Sequence, residues 1–373
     1  MNENNLNHIP KEKFEFIQID EVLHDEKTKG EAIGFLKDAM LRFRKNKAAL
    51  TSFIIIAILA FFSIFGPSMN SFNFYQQNVK AKNFPPRVDW LKGLGIFDGT
   101  KVREVRRPSI QENYGDSFVE EISTRTINGV EMVKIKYDVY KHAKYEGPNY
   151  WLGADALGRD MWTRLWRGLR ISFMIALIAL AVNLLVGVVY GAISGYYGGW
   201  VDLLMQRFIE IIAGIPYTVI VILFVFYYGP GVVAIAIAMC MTGWTGMSRM
   251  IRAQFLKFKE MEYVLASRTL GASDRILIFR HILPNAVGII VTMSALEIPS
   301  AIFGESFLAY IGLGIQAPEP SIGVLLSDGQ KFLLDLPHLA LFPSIIISIL
   351  MIAFNLMGNG LRDAFDPTLR GID

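Results

Sequence analysis

Hydrophobic positions gather into six runs near the length of roughly 20 residues that crosses the hydrocarbon core of a bilayer. The runs are Ala48–Ser68, Ile171–Tyr196, Leu203–Tyr228, Gly231–Met250, Ala286–Leu313 and Leu339–Gly360. They predict an all-α polytopic membrane protein: a tail (1–47), a first span (48–68), an insert with an interfacial segment (69–170), a five-helix core (171–360) and a second tail (361–373). In the first tail, Phe35, Ala39, Met40 and Phe43 recur at helical spacing opposite Lys37, Arg42 and Arg44, which predicts an interfacial amphipathic helix. The stretch before it has no periodicity and reads as disorder. In the insert, Val133, Ile135, Tyr137 and Val139 alternate after Asn128-Gly129, a pair suited to a type I′ turn, so a small β-hairpin is expected there.

Charge sets the orientation. Arg42, Arg44, Lys45 and Lys47 precede the first span, and the connection after the fourth carries Arg249, Arg252, Lys257, Lys259, Arg268, Arg275 and Arg280. Cytoplasmic loops carry such excesses, so both termini are expected in the cytoplasm and the insert outside. Arg159, Arg164, Arg167 and Arg170 run against this pattern, since they precede the second span on the outer side. Together with Asp160, the first three are candidates for an outer mouth that meets a binding protein or substrate; the alternative is a set of snorkelling anchors. The composition agrees with a membrane class: 373 residues are 52% hydrophobic and 19% charged. A net charge of +3 does not point to nucleic acid. The single cysteine excludes an intrachain disulfide and a thiolate metal framework, and the polar start predicts no cleavable signal peptide.

Several signals lie within the spans. Gly187, Gly191 and Gly195 recur every four residues and predict a face where a neighbouring helix packs closely. Gly214 with Pro216, and Pro299, mark backbone breaks of the sort that lipid tolerates only beside protein or water. Glu297 and Glu305 are carboxylates at membrane depth, where ionisable groups usually face a cavity or a partner. Pro216, Glu297 and Glu305 are therefore the candidates for a substrate pathway, with structural hydrogen bonding as the other reading of the two glutamates.

The loop 251–285 contains "EYVLASRTLGASDRILIFRHILPN" (Glu262–Asn285). A helix ends at Gly271, a natural left-handed stop. Ser273-Asp274 can cap a second helix carrying Ile276, Phe279 and Leu283, and Pro284 marks entry to the next span. This segment resembles the EAA-type loop of permease subunits of bacterial ABC importers. Leu265-Ala266-Ser267 stands at the triplet, and Gly271 and Pro284 keep their spacing. "WLGADALGRDMWTRLWRGLRISF", "GESFLAYIGLGIQAPEPSIG" and "FNLMGNGLRDAFDP" are similar to further signatures of the dipeptide, oligopeptide and nickel permeases, in the second of their two permease subunits.

The resemblance implies the ABC importer permease fold with six transmembrane helices, in a bacterial plasma membrane. It implies a second homologous permease subunit, two cytoplasmic ATPase subunits that hold ATP and Mg, and an extracytoplasmic peptide-binding lipoprotein. Glu262, Leu265, Ala266, Ser267, Leu270, Gly271, Ala272, Ser273 and Pro284 would form the ATPase-coupling loop. The chain itself has no G-x-x-x-x-G-K-[ST] stretch, so no cofactor, metal or catalytic site is expected on it. Peptide import is the leading expectation, nickel import the alternative. A membrane enzyme is disfavoured because all five histidines fall outside the predicted spans and no H-E-x-x-H motif occurs.

Overall fold

The computed structural model describes residues 34–365; the disorder expected before residue 34 and the last part of the C-terminal tail lie outside them. The chain divides into a unit ending at Asp38 and a second unit, Ala39–Asp373, which holds every element from the first span onward. Helix α1 (Phe35–Lys45) has the expected helical spacing, with Ala39 and Phe43 buried and Met40 exposed. Asn46 caps α2 (Lys47–Phe65) by accepting from the Ala49 amide at 3.1 Å.

The insert is a small domain with its own core. It contains β1 (Thr100–Arg106), α3 (Pro108–Tyr114), β2 (Phe118–Ile127), β3 (Val130–Asp138) and α4 (Val139–His142). The predicted hairpin is present as β2–β3, and Asn128 and Gly129 both take positive φ, 52° and 78°. Val133, Ile135, Tyr137 and Val139 all point into the core, beside Phe84, Tyr140 and Tyr150. Strand β1, which the sequence reading did not find, adds antiparallel to β3 in the order β1-β3-β2.

After the insert come α5 (Met161–Tyr197), α6 (Gly199–Ala213), α7 (Tyr217–Tyr228), α8 (Val232–Thr242), α9 (Trp244–Lys259), α10 (Glu262–Thr269), α11 (Asp274–Ile276), α12 (Leu283–Tyr310), α13 (Ile322–Gln330) and α14 (His338–Phe365). Among the described residues five helices are long and apolar enough to span a membrane, and α6 with α7 makes a sixth span bent by 72°. The bend falls at Gly214–Pro216, where the sequence places its break. Pro299, by contrast, sits buried inside an unbroken α12. Proline in a helix removes one hydrogen bond and crowds one carbonyl; packed neighbours hold the helix together despite that.

The glycine face of α5 packs on α9. A Cβ on Gly187 would lie 2.7 Å from the Met247 Cβ, one on Gly195 would lie 2.7 Å from the Arg252 carbonyl, and one on Gly191 would strike the Ser248 carbonyl. The seam ends in polar ties: Arg252 gives both Asp202 oxygens a hydrogen bond at 2.5 Å, and Lys259 donates to the Gly195 carbonyl at 3.0 Å. Gly191→Val is expected to overpack this seam by about 1–3 kcal/mol. The thermal midpoint of the purified protein should then fall by several degrees, at about 2–4 °C per kcal/mol for a protein of this size class. Gly246→Val, on α9 where an added Cβ meets open space, should leave the midpoint unchanged, and equal midpoints for the two variants would contradict the seam.

Candidate functional site

Three regions gather the residues singled out by the sequence. The first is the elbow after α9. Helix α10 ends in a Schellman motif: the Ala272 amide donates to the Ser267 carbonyl at 3.1 Å and the Gly271 amide to the Arg268 carbonyl at 3.0 Å. Gly271 sits at φ 84°, which glycine takes without strain. Ser273 occupies the cap position of α11 but makes no side-chain cap bond; Asp274 instead accepts from the Tyr196 hydroxyl at 2.7 Å, tying the elbow to the end of α5. Val264, Leu277 and Ile282 are fully buried against Ile251 and Phe255.

The two short helices expected around Gly271 are present as α10 and α11, and no break separates α11 from the next span. A π-helical turn, Leu277–Ile282, carries α11 straight into α12, so Asp274–Tyr310 runs as one long helix. Pro284 is near the start of α12, and its ring would crowd the carbonyl of Arg280, four residues back. A wider turn relieves that clash. Asn285 covers the freed backbone by donating to the His281 carbonyl at 2.6 Å. Ile276, just before this turn, and Phe279, within it, are both exposed. Together with Leu265 and Leu270, which is 88% exposed, they give the elbow an uncovered apolar edge.

The second region is a membrane-depth pocket of about 190 Å³ lined by Asn183, Tyr217, Thr242, Gly243, Glu297 and Ser300, among others. Asn183 donates to a Glu297 oxygen at 2.8 Å across α5 and α12. Its own Oδ1 and the Tyr217 hydroxyl have no hydrogen-bond partner among the described residues. The break at Pro216 delivers Tyr217 to this wall. The sequence reading overlooked Asn183 and Tyr217; a lone Asn inside an apolar span was the available signal. Glu305 is elsewhere. It is fully buried, accepts from the Ser172 hydroxyl at 3.1 Å, and that hydroxyl accepts from the Ile322 amide at 3.3 Å, so it joins α5, α12 and α13.

The third region is the N-terminal end of α5. Asp160 is its N-cap, accepting at 2.7 Å from the Thr163 amide, the Thr163 hydroxyl and the Asn70 amide group. Burial pushes its carboxyl up, against those three donors. Arg159 donates to Asp155 at 2.7 Å. Arg170 donates to the Ser63 and Ile64 carbonyls, at the C-terminal end of α2 where a cation suits the helix dipole. Arg167 pairs with Glu319 at 3.1 Å and lies over the Phe74 ring. Arg159, Asp160 and Arg164 are at least nine-tenths buried, so of the four residues expected at an outer contact surface only Arg167 is substantially accessible.

Residues 187–371 match the family described as binding-protein-dependent transport system inner membrane component, and residues 34–86 match the N-terminal TM domain of oligopeptide transport permease C. The chain is similar to the dipeptide transport system permease protein DppC of Bacillus subtilis (35% identical, 98% of this chain and 95% of that one). It is also similar to the oligopeptide transport system permease protein OppC of B. subtilis (37%, 92% and 93%) and to that of Escherichia coli K12 (32%, 92% and 94%). A chain of the inward-facing MetNI methionine ABC transporter overlaps 54% of this chain and 96% of its own, at 14% identity and a TM-score of 0.46.

The Ser172–Glu305 tie yields a stability prediction. Glu305→Leu leaves the buried Ser172 hydroxyl without its acceptor, while the Ile322 amide keeps the Ser172 oxygen, a loss of about 1–3 kcal/mol. The thermal midpoint should fall accordingly, and Glu305→Gln, which keeps an acceptor oxygen, should recover most of it. An unchanged midpoint in Glu305→Leu would remove Glu305 from the framework.

Proposed function

The chain belongs to the family of binding-protein-dependent transport system inner membrane components, as an oligopeptide permease C-type subunit, and from that premise we propose that it forms one half of the membrane pathway of an ATP-driven peptide importer. Relatives named for dipeptide and oligopeptide transport, along almost their whole length, support the substrate class. A second, homologous permease supplies the other half. Two cytoplasmic ATPases carry ATP and Mg, and an extracytoplasmic peptide-binding lipoprotein delivers substrate. Both termini are cytoplasmic. Arg249, Arg252, Lys257 and Lys259 in α9, with Arg268, Arg275 and Arg280 in the elbow, support that orientation; the arginine cluster at the start of α5 runs against it, and a long translocated segment can carry such positives regardless.

The elbow carries the mechanism. An ATPase groove that closes over Leu265, Leu270, Ile276 and Phe279 gains apolar burial worth about 1.5–3 kcal/mol for each side chain fully covered. Shifting a two-state gate from 1:99 to 99:1 takes about 5.5 kcal/mol of differential interaction, so about two to four such side chains, covered in one state and not in the other, suffice. The Schellman end of α10, the Tyr196–Asp274 bond and the buried Val264–Leu277–Ile282 cluster make the elbow stiff enough to pass the push on. The push runs along α12 to Glu297 and along α5 to Asn183, the two residues that face each other across the membrane-depth pocket. Pro216 and Glu297 are thus pathway residues in this reading, while Glu305 braces the outer half.

Gly271→Val tests the reading, because a β-branched residue at φ 84° costs about 1–3 kcal/mol and unmakes the Schellman end. Membrane insertion and ATP hydrolysis should persist while uptake of labelled di-, tri- and pentapeptides falls by about tenfold or more, the change that 1.4 kcal/mol produces. Uptake at the unaltered rate would refute the coupling role.

A further inference from the structure

Two cavities, of about 290 and 200 Å³, adjoin at the outer end of the protein and share Arg159, Arg164, Asp328 and Lys331 as common lining. Arg164 is unusual there. It is 2% exposed, yet its guanidinium donates no hydrogen bond among the described residues, and Nε and Nη1 are both buried without a partner. The nearest carboxylate, Asp155, lies 3.6 Å from Nε and is already engaged: one oxygen accepts from the Leu157 and Arg159 amides, the other from Arg159 Nε. Asp328 is taken by Lys331 at 3.2 Å. Glu319, the third carboxylate on these walls, is paired with Arg167 at 3.1 Å, so all three carboxylates are committed, and of the three cations facing them the one without a hydrogen bond is the deepest. A buried guanidinium is costly unless it is paired and hydrogen-bonded, and its planar donors suit a carboxylate.

The walls say which carboxylate. Apart from the shared residues and Asp155, whose oxygens are already engaged, the larger chamber is lined by apolar side chains and Gly329, among them Met161, Leu325, Phe332 and Leu339. The smaller one is bordered by the loop Gly312–Ala317 and by Glu319. A group that places a carboxylate at the shared wall and an apolar side chain in the larger chamber is the C-terminal residue of a peptide. An Asp or Glu side chain carries its carboxylate at its tip and has no apolar branch to fill that chamber. We propose that Arg164 and the paired cavities form a subsite for the C-terminal carboxylate and last apolar side chain of a peptide at the outer end of the pathway. The proposal rests on the peptide-permease reading above.

The test uses the complete transporter complex purified in lipid nanodiscs without the binding protein, with Ala-Ala-Leu, its C-terminal amide and its N-acetyl derivative as probes in calorimetric titration. The free acid and the N-acetyl peptide should bind alike, and the amide about tenfold or more weaker, since a charge-assisted hydrogen bond is lost. Arg164→Gln should bring acid and amide to the same affinity. The acid–amide comparison on the unaltered protein stands even if that variant fails to assemble. Equal binding of acid and amide to the unaltered complex, or an acid preference that survives in Arg164→Gln, overturns the subsite and leaves the peptide reading standing. Failure of cells carrying the intact transporter to take up either labelled peptide overturns the peptide reading itself.

Discussion

The close approach of α5 and α9 is the constraint on which the other features rest. Helix–helix association in lipid has no hydrophobic driving force to draw on, so backbone proximity must come from small residues. Gly187, Gly191 and Gly195 provide it on three successive turns, and the positions facing them are filled by Met247, Ser248, Ile251 and Phe255. With 37 residues, α5 extends about 55 Å at 1.5 Å per residue. It carries Arg164 near one end, Asn183 midway and Tyr196 at the other, so a single rigid helix indexes the outer cavities, the membrane-depth pocket and the elbow.

The four arginines at the start of α5 look alike to a charge-counting rule, and the structure tells them apart. In the folded protein Arg159 and Arg167 are bound to carboxylates and Arg170 to the carbonyls that end α2. Only Arg164 keeps its donors unused. That contrast separates a structural arginine from one held ready for something else, and it is invisible in a sequence where the four look alike.

What could be read from the sequence was what local chemistry decides. Asn128-Gly129 needs no tertiary information to predict a turn, a glycine repeat can serve little else than close packing, and Gly271 ends a helix by its own backbone freedom. The break at Gly214–Pro216 belongs to the same class. What escaped was decided by neighbours remote in the chain. The Asn183–Glu297 pair spans 114 residues, Arg167 meets Glu319 across 152, and β1 is a strand because β3 offers it an edge. Glu297 and Glu305 look equivalent eight residues apart on one helix, but the first lines a pocket and the second is sealed among Ser172 and the start of α13. The π-turn is an intermediate case: Pro284 marks the entry to the next span in the sequence, and the wider turn before it, with Leu277 and Ile282 buried, shows only in the structure.

The distribution of stiffness says where movement can be expressed. From the elbow onward, α12 is one helix despite Pro299, α5 is unbroken, and α9 is locked to it by the glycine seam and the Lys259–Gly195 bond. The α6–α7 span differs, since its two halves meet at 72° with Pro216 unable to donate and Gly214 free of a side chain. A push that rigid helices cannot absorb is taken up at the joint with the fewest backbone hydrogen bonds. That joint places Tyr217 on the wall of the pocket held by Asn183 and Glu297. The compliant point and the polar pocket thus coincide, so that in the proposed mechanism an effect applied at the elbow would be felt where the pocket presents its polar groups.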